Sequence, residues 1–288
     1  MRKRFDLSAR GFSTYLWSVV ALTLVGIVLR TVNMFLFFDY DINYYFADAA
    51  LPKITAAFFV LATVYLIAVC VGASEPPFSA DGAERGVAIK LSGFLCSLGF
   101  VLTASSTLDV VSVIPSPVLT TLLYISAVYF LLSLMRETRG AQALTSVAVV
   151  LSLASLMAIT YFDAFIQMNS PLKVHFHLAM LSSMIFITAE ARAMIGMIKR
   201  KFYLFSLSIA VFFTGISSVP ALAATYFGTL DYSRTPIYYL CDILTFTLFI
   251  YFLCRLISLN FIRKSEEDPT NELTEEDNDI TTTEEEQI

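Results

Sequence analysis

Residues 175–193 read HFHLAMLSSMIFITAEARA, and the class of the protein turns on that stretch. Between His175 and His177 at one end and Glu190 and Arg192 at the other, every side chain is apolar or carries only a hydroxyl. Widened to 174–197, the segment meets the length of about 20 residues that a helix needs to cross a bilayer core. An ionisable group within such a helix costs about 2.5–3.5 kcal/mol on the insertion scale, so it faces protein or a wet cavity by default. The stretch therefore predicts a span inside a bundle, with charge placed toward its two ends.

Seven further runs of the same kind flank it: 12–38, 51–71, 89–108, 117–135, 143–168, 202–227 and 236–259. The chain of 288 residues is 57% hydrophobic and 15% charged, where soluble domains carry about one quarter charged residues. The first run is too long for a removable signal, and no small-residue cleavage pattern follows it. The expectation is an all-α integral membrane protein with eight transmembrane helices.

Basic residues prefer the cytoplasmic side of short loops. Arg2, Lys3, Arg4, Arg10, Arg85, Lys90, Arg136, Arg139, Lys199, Arg200, Lys201, Arg263 and Lys264 all fall on one side of the eight runs. Only Lys53, Lys173 and Arg234 fall on the other. Both termini are then cytoplasmic, as an even number of spans requires. A cell membrane, of bacterial plasma-membrane type given the short loops, is the expected location.

The ends of the chain contrast. Residues 1–11 form a basic arm, and from 263 on the sequence turns polar. Residues 265–288 hold 11 of the 24 acidic side chains and no basic one, with no aromatic residue. Such a segment buries too little surface to offset its ordering entropy, so 263–288 reads as a disordered acidic cytoplasmic tail. It solubilises the chain or docks a basic cytoplasmic protein partner.

Four landmarks occur twice in the same order. Phe38-Asp39 matches Phe162-Asp163, and Leu51-Pro52-Lys53 matches Pro171-Leu172-Lys173. Thr107-Leu108-Asp109 matches Thr229-Leu230-Asp231, and Pro117 with Arg136 matches Pro236 with Arg255. The pattern predicts two parallel four-helix repeats, 12–140 and 141–262, with a cavity between them as in transporters built from repeats. Charges kept in both copies read as structural. Those in one copy only (Arg30, His175, His177, Glu190, Arg192 and Asp242) are the better place to look for chemistry.

By helix rise, Arg30, Asp163, His175, His177 and Asp242 reach similar depth near the extracytoplasmic side. They are the candidate ligand-binding set for a small polar or anionic solute. Arg30 orients the anion, pairs with Asp163 or Asp242, or snorkels to headgroups. His175 and His177, two apart, project to opposite faces and cannot share a metal on a regular helix. Glu190, near the cytoplasmic end, pairs with Arg255 or Arg136, or couples a proton. Span three carries Thr103-Ala-Ser-Ser-Thr107, and span seven carries Thr214-Gly-Ile-Ser-Ser218 before Pro220. Proline there removes a helical hydrogen bond, which Ser and Thr side chains often help to re-satisfy.

Other chemistry finds little support. The four cysteines form no CxxC and read as packing residues rather than a disulfide or zinc framework. No phosphate-cradling loop, dinucleotide fingerprint or nucleophile elbow is present. The basic residues are dispersed loop flanks, so nucleic acid is not an expected partner, and no cofactor or metal is implied. Three functions stay open: a transporter of a small solute, a receptor or complex subunit, and a membrane-embedded enzyme acting on lipid.

Overall fold

The computed structural model describes residues 9–72, 86–106, 114–135, 139–164, 166–228, 230 and 236–267. Its helices are α1 (Ala9–Leu36), α2 (Ala50–Gly72), α3 (Val87–Ser106), α4 (Ser116–Leu132), α5 (Arg139–Phe162), α6 (Pro171–Met194), α7 (Arg200–Tyr226) and α8 (Pro236–Glu267). Seven of them are long and apolar enough to cross a membrane. The chain is a multi-pass helical membrane protein.

Span four of the sequence reading corresponds to α4, which has 17 residues and so a length of ~26 Å. That falls short of the usual span, and Pro115 and Pro117 set its start. At the other extreme, α8 continues past 259 to Glu267, so the helix takes in the first residues of the stretch expected to be disordered. The basic arm up to residue 8 and the acidic residues from 268 onward lie outside the described residues. So do Arg136, Asp109, Asp231 and Arg234.

Helices α3 to α8 each pack on the next, and α8 closes the circuit against α3. The α1–α2 pair joins this ring through α7, with α1 running along it and α2 more loosely attached. Duplication into two equivalent fours would make α3 meet α5 as α1 meets α7, and α4 meet α7 as α8 meets α3. Neither α3–α5 nor α4–α7 is a packed pair among the described residues. The arrangement is two helices on a ring of six, and the repeated landmarks sit in unequal surroundings.

Hydrophobic burial offers lipid-facing helices little reason to associate, so close approach through small residues matters more. A Cβ on Gly215 of α7 would lie 2.8 Å from both Thr23 of α1 and Phe249 of α8. One on Gly26 of α1 would lie 2.8 Å from Ile216 of α7, and one on Gly99 of α3 would lie 2.7 Å from Thr247 of α8. At these points a side chain of the neighbouring helix lies directly on the glycine backbone. Helix α7 is the most enclosed, while α2 leaves Ile54, Val60, Leu61 and Val71 on its outer face, as contact with lipid tails requires.

One element has no precursor in the sequence reading. Between α1 and α2 the chain makes a hairpin of β1 (Phe38–Asp39) and β2 (Tyr44–Tyr45), paired antiparallel. Asn43 takes the left-handed conformation at its turn, and Asp39 Oδ1 accepts the backbone N–H of Asp41 at 2.9 Å. The Phe38 ring meets Tyr40 and Tyr45 edge-on. Ser170, the N-cap of α6, donates its hydroxyl to the Asn43 carbonyl at 2.8 Å, pinning the turn to the bundle. This marks the hairpin end of the molecule; the other is the tail end, where α8 finishes.

Candidate functional site

At the hairpin end, proline chemistry places Arg30. Pro220 lies inside α7 and has no N–H, so the carbonyl of Ile216, four residues earlier, loses its helical donor. The hydroxyls nearby do not reach it: Thr214 and Ser218 bond the carbonyls of Ala210 and Thr214 within their own helix. Arg30 does. Its Nη1 donates to the Ile216 carbonyl and, at 3.0 Å, to the Ser217 carbonyl. The guanidinium on α1 thus closes the break in α7, and at 1% exposure it is fully enclosed.

Further side chains gather around it. Tyr45 of β2 brings its hydroxyl within reach of the guanidinium; burial pushes that phenol up, and Arg30 draws it part of the way back. His175 of α6 is close enough to feel the Arg30 charge, and its ring meets Phe59 of α2 edge-on at 5.3 Å between centroids. Asn33, one turn beyond Arg30, donates its amide nitrogen to Thr55 of α2 at 2.7 Å. Asn33 Oδ1 and His175 Nδ1 are buried here without a partner.

The remaining members of the expected ligand set gather on α5, α6 and α8. His177 turns away from His175 and shares a hydrogen bond of 3.1 Å with Thr160 of α5, as a spacing of two on a helix dictates. Lys173, buried at the start of α6, donates to the carbonyls of Asp163 at 2.6 Å and Tyr161 at 3.3 Å. Tyr238 of α8 donates to the Thr160 carbonyl at 3.0 Å. These donors close the C-terminal carbonyls of α5, which a helix end leaves open. Asp163 is half-buried and Asp242 is buried; both lie near the Tyr238 hydroxyl.

Toward the tail end, Glu190 sits in a saturated cluster. Arg255 of α8 donates to its Oε1 through Nε at 2.8 Å and through Nη2. Tyr251 donates to the same oxygen at 3.1 Å, and Tyr129 of α4 donates to Oε2 at 2.7 Å. All four residues are buried. The cluster joins α4, α6 and α8 across the ring, and the Arg255 partnership is the one the sequence reading offered beside Arg136. Arg192, two residues on, points out of the bundle. The two ends of residues 175–193 therefore serve different places.

Tyr45, Asn33, Thr55 and the Ile216 and Ser217 carbonyls were missed by the sequence reading. Pro220 and Arg30 were each noticed in it, but as separate features. The clue that links them is that a proline leaves a specific carbonyl open, and a buried cation needs acceptors. The four cysteines carry free thiols, and Cys96 bonds the Thr247 carbonyl at 3.0 Å, a packing role. Among the described residues no group of three or more His, Cys, Asp or Glu is arranged to hold a metal. No protein-family model, curated protein or solved structure matches the chain.

Proposed function

We propose that this protein binds a small polar or anionic solute at the hairpin end, among α1, α2, α6 and α7, and carries it across the membrane. The observation that carries the reading is a buried guanidinium held on carbonyls of a helix that contains a proline. A proline inside a bundle helix frees a backbone carbonyl away from water, and transporters place solute sites where helices lose their regular hydrogen bonding. Arg30 supplies positive charge and His175 a hydrogen-bonding ring. Asp163, His177 and Asp242 shape the neighbouring α5–α6–α8 edge.

In this proposal the hairpin end faces outward, both termini are cytoplasmic, and the membrane is a bacterial plasma membrane. Glu190 is a proton-coupling residue only if Arg255 first releases it, since its carboxylate already receives Arg255, Tyr129 and Tyr251. Coupling would therefore follow the parting of α6 from α8.

The test is uptake by liposomes holding the full-length chain, across a panel of labelled small organic anions, polyols and amino acids. Uptake of at least one solute by the unmodified protein, lost in a folded Arg30→Gln variant, supports the proposal. No uptake of any member overturns transport.

A second reading is a receptor or complex subunit, and the closed Glu190 cluster favours it, because a ring tied across its middle suits a static scaffold. Here the acidic segment following α8 engages a cytoplasmic protein. Purification from native membranes, full length against a chain ending at Lys264, tests it: a stoichiometric partner lost with the segment supports the subunit reading. Nothing in the described geometry favours lipid-directed catalysis over these two.

A further inference from the structure

Asn33 is 1% exposed, and the two atoms of its amide have different fates. The nitrogen donates to Thr55 Oγ1 at 2.7 Å, while the Thr55 hydroxyl proton goes to the Leu51 carbonyl at 2.9 Å. That direction sets the amide: nitrogen faces Thr55, and the oxygen is left as a buried acceptor with no donor. Buried acceptors of this kind are rare in folded proteins, because losing water without a replacement opposes folding.

The surroundings narrow what belongs there. Arg30 lies one turn before Asn33 on α1, and Phe59 lies one turn after Thr55 on α2. Phe59 in turn packs on His175, whose Nδ1 is the second unmet atom. The imidazole is within range of the Arg30 charge. Thus a chain of contacts from α1 through Thr55 and Phe59 of α2 to His175 of α6 links the unmet atoms Asn33 Oδ1 and His175 Nδ1 beside the guanidinium.

We infer that the solute of the proposed site brings an uncharged hydroxyl to Asn33 Oδ1, with a second oxygen function beside it for His175. The inference rests on the solute-binding reading given above. Asn33 Oδ1 is an acceptor only, so the ligand atom facing it must be a donor. An ammonium donor is disfavoured, since it would stand close to a guanidinium in a poorly screened interior. Imidazole Nδ1 accepts or donates according to tautomer, and an adjacent hydroxyl or carboxylate oxygen meets it in either form. Small 2-hydroxy acids and polyols share this chemistry. Simple carboxylates and amines lack it.

Lactate, propionate and glycerol separate the cases, added to the full-length protein in phosphatidylcholine nanodiscs while thermal unfolding and heat of binding are followed. Lactate is expected to half-saturate at least about 10-fold lower than propionate, because a site built around a hydroxyl rejects the analogue lacking it. Asn33→Leu removes that preference, whereas Arg192→Ala, at an exposed position outside the site, retains it. Glycerol acting like lactate also supports the inference and makes the solute a polyol. Should propionate match lactate, the hydroxyl assignment is overturned while solute binding stands. Should none of the three bind, Asn33 Oδ1 is met by water alone and the inference falls; the liposome panel then judges the solute reading separately.

Discussion

Two arginines are buried among the described residues, and they are held in opposite ways. Arg255 meets a carboxylate, and that carboxylate is also met by Tyr129 and Tyr251 from two helices. Arg30 meets the carbonyls of Ile216 and Ser217, and near it Asn33 Oδ1 and His175 Nδ1 remain unmet. A saturated cluster is a fastening, since any added ligand must displace an existing bond. A cluster with unmet buried atoms has capacity left for a guest. The tail end therefore holds helices together, and the hairpin end is where recognition has room.

The comparison has consequences of different size. Arg255→Met leaves Glu190 charged and buried without its cation, a change worth about 3–5 kcal/mol when a buried pair is broken from one side. Unfolding by SDS titration should show that loss, and Arg255→Met with Glu190→Met should recover most of it. A double variant as unstable as the single would mean the two residues do not act as a pair.

A smaller effect is expected at the other arginine. Arg30→Leu opens the Ile216 and Ser217 carbonyls, at about 1–3 kcal/mol for a buried group left unmet. Pro220→Ala restores an N–H for Ile216, so in that background Arg30→Leu should cost clearly less. Equal penalties in both backgrounds would separate Arg30 from the proline break. Smallest of all, Arg192→Ala removes an exposed charge and should stay within about 0.5 kcal/mol.

Much of the architecture was legible because lipid forces it: long apolar runs announce helices, and seven of the expected eight meet the length criterion in the fold. The opposite orientation of His175 and His177 followed from helical period alone. Pairing of Glu190 with Arg255 was readable from depth and charge, since a buried carboxylate needs a cation at its own level. The hairpin was not legible, because two-residue strands carry no periodicity and their register is set by Asp39 and Asn43 in the turn.

The repeated landmarks show why the rest escaped. Lys53 and Lys173 hold matching places in sequence, yet Lys53 is exposed while Lys173 is buried on the carbonyls ending α5. Position along a helix gives depth, but only packing gives the partner. For the same reason Asn33 drew no notice: an uncharged amide in an apolar run looks inert until its two atoms are followed to their neighbours.

Helix α8 has a mechanical consequence. It runs unbroken from Pro236 to Glu267, with Asp242 near one end and Arg255 thirteen residues, or ~20 Å, further on. Helix α7 beside it carries Pro220 and lacks a helical hydrogen bond there; α8 has no proline after its first residue. A stiff rod with a grip at each level acts as a lever, so a small tilt at Asp242 is felt at Arg255 and in the last turn at Glu267 without slack between them.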